Sequence, residues 1–133
     1  DKTVYDLLQE SMKKIKNNKV NHDDFDLDAK LIYSINIRRI LERIFNLKNS
    51  SLIDSSDSLG KEYDSVKDYF NDDEKKLIIK AMITIPEFIH LNSFMYEPLM
   101  DVGLNSLKKI YNEIYNMGTA YGIDECPKIE INY

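Results

Sequence analysis

Between positions 24 and 47 the apolar residues Leu27, Leu31, Ile32, Ile35, Ile37, Ile40, Leu41, Ile44, Phe45 and Leu47 recur at helical spacing. On a helix they form one broad stripe, whereas on a strand they would scatter over both faces. A stripe this wide must be covered by other elements, so the segment predicts a long amphipathic helix at the heart of a helical fold. Asp23 and Asp24 place carboxylates where the free N–H groups of the opening turn carry positive partial charge.

The flanking segments read as its partners. After Thr3, a plausible N-cap, Val4, Leu7, Leu8, Met12 and Ile15 keep the same spacing until the polar run "KKIKNNKVNHDD". Residues 49–58, "NSSLIDSSDS", lack periodicity and predict a loop, followed by a short helix carrying Tyr63, Val66, Tyr69 and Phe70. Asn71, Asp72 or Asp73 caps the next helix, where "LIIKAMITIPEFIHL" is apolar on nearly every side. That pattern predicts the central, most buried helix, bent at Pro86. Asp101 or Asn105 opens a last helix with Leu104, Leu107, Ile110, Tyr111, Ile114, Tyr115 and Met117, and Gly118 suits its C-cap. The expectation is an all-α, single-domain bundle of about five helices over 1–133, with an irregular tail over 118–133.

Composition agrees and narrows the chemistry. Only 4 Gly and 3 Pro among 133 residues favour long uninterrupted helices, and 43% apolar with 31% charged residues describes a globular protein. A net charge of -5 gives the chain no general reason to coat a phosphate backbone, so RNA is a possible but unfavoured partner. One cysteine, Cys126, cannot close an internal disulfide, and no apolar run reaches the length of a membrane helix, which together predict a cytoplasmic setting without a membrane partner. The start at Asp1 without a leader-like segment predicts a domain excised from a longer chain.

Few motifs carry chemistry. "HDDFDLD" sets Asp24, Asp26 and Asp28 at alternate places, but a calcium loop begun at Asp24 would need Gly and Glu where Ala29 and Ile35 stand. Two histidines 68 positions apart and a lone cysteine match no zinc spacing, and no Gly-rich phosphate loop is present, so neither metal nor cofactor is expected. Cys126 lies in the tail, where nothing nearby predicts a rigid nucleophile. In "NIRRILERIF", Asn36, Arg39 and Arg43 share one face while Arg38 and Glu42 are placed to pair at i,i+4. Arg39 and Arg43 either hold a phosphate or carboxylate or are satisfied by acidic neighbours within the bundle. In "EFIHLNSFMYEPL", His90 with Asn92 either supplies a general base and the amide that orients it or satisfies backbone groups at a helix end.

Taken together, "IRRILERIFNL" and "FIHLNSFMYEPLMD" resemble the C-terminal helical region of bacterial phage-defence ATPases, the SMC-like AAA proteins related to anticodon nucleases. Those regions resemble HEPN domains, helical bundles that act as ribonucleases or as non-catalytic dimerising relatives, and the likeness covers roughly residues 25–117. The HEPN nuclease pattern of an Arg followed four to six residues later by a His is missing, since the nearest Arg upstream of His90 is Arg43 and His22 has none. The resemblance therefore implies an interaction or regulatory module that dimerises or senses a protein partner. Its alternative is a metal-independent ribonuclease whose Arg39, Arg43, His90 and Asn92 meet only through folding.

Overall fold

The computed structural model describes residues 10, 13, 22–55, 57–85, 102–126 and 128–131. Among these residues lie four α-helices and no strand: α1, His22–Lys48; α2, Leu59–Val66; α3, Asp72–Thr84; and α4, Leu104–Ala120. They match the last four of the five anticipated helices, and the anticipated first helix falls outside the described residues except at Glu10 and Lys13, which are helical and exposed.

The long stripe organises the molecule. Ala29, Leu31, Ile32, Tyr33, Ile35, Ile37, Ile40, Leu41, Ile44 and Phe45 of α1 are all buried, so this helix is wrapped on several sides. Each such aliphatic or aromatic side chain withdrawn from water stabilises the fold by about 1.5–3 kcal/mol before chain entropy is set against it. The anticipated central helix is a different one. Within α3 only Ile78 and Ala81 are buried, while Ile79 and Ile83 face solvent.

Local chemistry sets the ends. Ser58 accepts from the Lys61 N–H to open α2, whose buried Leu59, Glu62, Tyr63 and Val66 follow the i, i+3, i+4, i+7 rule. Asn71 and Glu74 form a reciprocal capping box at the start of α3, with N–H···O distances of 2.8 and 2.9 Å between nitrogen and oxygen. At the other end α3 stops at Thr84 rather than bending through Pro86. Ile85 takes φ -88° and ψ 148°, the extended conformation imposed on a residue that precedes proline.

The last helix differs from expectation at both ends. Its N-cap is Gly103, without a side-chain cap, and it runs through Gly118 to Ala120, so the irregular tail starts at Tyr121. Gly118 is a packing residue: a Cβ there would stand 2.8 Å from Ile40 Cγ2, and glycine lets α4 close onto α1. Gly122, with φ 81°, takes the left-handed cap position. Ile123 N–H donates to the Gly118 carbonyl and Gly122 N–H to that of Thr119, both at 2.9 Å, the hydrogen-bond pair of a Schellman cap.

The tail is irregular but anchored. Ile123, Cys126 and Ile131 are buried, so the cysteine expected to lie loose is part of the core. An aromatic cluster of Phe45, Tyr63, Phe70 and Tyr121 ties the end of α1 to α2 and to the end of α4, with ring centroids 5.9 to 6.4 Å apart.

Candidate binding cleft

Where α1 ends and the Schellman cap turns the chain out of α4, a cleft of about 290 Å³ opens. Arg43, Asn46 and Leu47 line it from the last turns of α1, and Ile53 comes from the loop beyond. The opposite wall is the segment Tyr121–Gly122–Ile123 with Glu125. The left-handed Gly122 builds this wall, because it lets Ile123 turn inward while the next residues return along α1.

The cleft mixes apolar and polar lining. Leu47 and Ile53 are 60% and 64% exposed, large apolar side chains left in water beside a concavity. Arg43 Nη1 reaches Glu125 Oε1 at 3.3 Å, with both side chains about half exposed, so the pair is a solvent-screened rim contact. The Asn46 Oδ1 is buried yet accepts no hydrogen bond, which leaves an acceptor waiting for a donor.

One wall is held by a charged network. Tyr121 Oη donates to Glu74 Oε2 at 2.5 Å, and Lys48 Nζ sits 4.6 Å from the Tyr121 ring centroid and 5.5 Å from that of Phe70. Burial and the adjacent Glu74 carboxylate push the Tyr121 hydroxyl up to about 12. Partial burial works to raise the Glu74 pKa, but the hydrogen bonds from Tyr121 and the Asn71 N–H, with Lys48 nearby, outweigh it and the net shift is downward. The proton therefore stays on Tyr121 and the charge on Glu74. Three helix ends are locked together by the Tyr121–Glu74 hydrogen bond and the Lys48 ammonium over the Tyr121 ring.

The anticipated site residues fare differently. Arg43 lines the cleft, but its guanidinium is engaged by Glu125, and Arg39 one turn earlier is half-buried and does not line it. Asn36 is buried and donates through Nδ2 to the Ile32 carbonyl at 2.8 Å. The anticipated Arg38–Glu42 pair forms, at 2.6 Å. His90 and Asn92 lie outside the described residues. Asn46 and the Tyr121–Glu125 wall were not singled out by sequence, since an orphan acceptor and a returning chain are made by tertiary contacts alone.

Among the described residues no group of three or more His, Cys, Asp or Glu side chains is placed to hold a metal ion, and no helix is long and apolar enough to cross a membrane. No family model, curated protein or solved structure matches the chain.

Proposed function

We propose that this chain is a helical interaction module, one domain of a phage-defence type ATPase, that dimerises through the cleft at the end of α1. The observation that supports it is the pair Leu47 and Ile53, more than half exposed and lining one concavity. Isolated exposed apolar residues are ordinary, but two beside a cleft fit a surface completed by another chain. A second copy supplies apolar side chains against Leu47 and Ile53 in one self-complementary contact.

The reading needs no catalytic group, which accords with Arg43 being paired and Asn36 bonded to its own helix. Its test is the double variant Leu47→Asp, Ile53→Asp. Both residues are exposed, so the substitutions spare the core, and light scattering at matched concentration should show a dimer for wild type and a monomer for the variant. Equal masses for the two proteins would remove the cleft from the interface.

A further inference from the structure

The tail is bound to the helices in the way that proteins hold a peptide. Residues 128–131 belong to no helix or strand and bridge Tyr111 of α4 and Tyr33 of α1. The Ile129 N–H donates to the Tyr111 hydroxyl at 2.9 Å and the Ile131 N–H to the Tyr33 hydroxyl at 3.1 Å. Lys108 Nζ closes the register on the Ile131 carbonyl at 3.2 Å. Ile131 is buried and Ile129 half-buried, while Lys128 before them and Glu130 between them are exposed. Backbone groups read at alternate residues, with alternate side chains pocketed, are the elements of strand-type peptide recognition.

The reading half of this site belongs to the helices. With the tail docked, Tyr33 of α1 and Tyr111 of α4 are each 1% exposed, with ring centroids 5.0 Å apart. The tail belongs to no helix or strand, and the segment leading to it, Tyr121–Glu125, is the wall of the cleft.

We propose that the tyrosine groove is an exchangeable docking site and that its second occupant is residues 128–131 of another copy of this chain. The inference rests on pairing through the cleft, because that pairing brings the two copies together at the point where each tail departs. Each hydrogen bond that a tail breaks in its own groove re-forms in the groove of the other copy, so the exchange costs little beyond the hinge.

Two full-length variants test it together. Ile131→Asp has a sound groove and a damaged tail, while Tyr33→Phe, Tyr111→Phe has a sound tail and a groove without its acceptors. Mixed, they can form one intact tail–groove pairing, and sedimentation should show association about fivefold stronger in the mixture than in either variant alone, the worth of roughly one buried hydrogen bond. Wild type needs no substitution: in a half-isotope-labelled sample, nuclear Overhauser effects between the Ile131 methyls of one copy and the Tyr33 ring of the other are expected. A wild-type dimer that shows neither complementation nor those intermolecular effects overturns the exchange and leaves the cleft interface standing. A wild type that is strictly monomeric overturns both.

Discussion

A methyl group is all that separates glycine from alanine, and at position 118 the Ile40 side chain already occupies its place, 2.8 Å away. Alanine would favour the helix by about 1 kcal/mol, but both partners sit in the packed seam of α1 and α4, where added volume typically costs about 1–3 kcal/mol. Gly118→Ala should therefore lower the urea midpoint without changing the slope, and a raised midpoint would mean that the seam yields. Glu62 is the other residue whose environment decides its behaviour. It is 5% exposed on the inner face of α2. Burial pushes its carboxyl from 4.5 up to about 7, with Glu42 and Asp57 adding to the rise and Arg38 opposing it. Because the folded pKa exceeds the unfolded one, the folded state holds the proton longer. The associated stability is whole below about 4.5 and is lost as pH rises through about 7, a change of up to about 3 kcal/mol. Glu62→Gln should match wild type near pH 4.5 and exceed it near pH 8 in urea unfolding. A difference that ignores pH would mean that the carboxylate is solvated.

At the scale of elements, what was legible was what is local. The spacing of apolar residues placed α1, the Arg38–Glu42 pair followed from i,i+4 geometry, and Asn71, Asp72 or Asp73 marked the start of α3, where Asn71 is the cap. Arg43 was read as either holding an anion or being satisfied by an acidic neighbour; the structure pairs it with Glu125, 82 residues away, which no local pattern could identify. The rank of the helices was misjudged for a related reason: nearly uniform apolarity in "LIIKAMITIPEFIHL" suggested the most buried helix, yet within α3 only Ile78 and Ala81 are fully buried, with Leu77 and Met82 partly covered. The tail's docking and the tight approach at Gly118 depend on which helices meet, and a lone glycine or an Ile-Glu-Ile run does not announce a partner. Since α3 is held by few core side chains, its capping box matters more than most. Asn71→Ala should destabilise the fold by about 1 kcal/mol, and α3 amides should exchange with solvent sooner than those at the middle of α1. Uniform exchange across both helices would show that α3 opens only with the whole molecule.

For the molecule as a whole, the described architecture is one deeply buried helix, α1, packed against α4, α2 and its own tail, with α3 seated on α4. The core of α1 accounts for the fold and leaves no conspicuous constellation for chemistry among the described residues. At the cleft, Leu47 and Ile53 stay more than half exposed, though Ile83 and Tyr69 elsewhere do so too. The proposed association there would be driven by apolar burial more than by the Arg43–Glu125 rim pair, so raised salt should weaken such a dimer only slightly, whereas binding to nucleic acid would fall steeply with salt. The most direct measurement is sedimentation equilibrium of the unmodified chain over a dilution series. The account predicts a mass that moves from two chains to one as concentration falls, and a mass fixed at a single chain up to the highest concentration would contradict it.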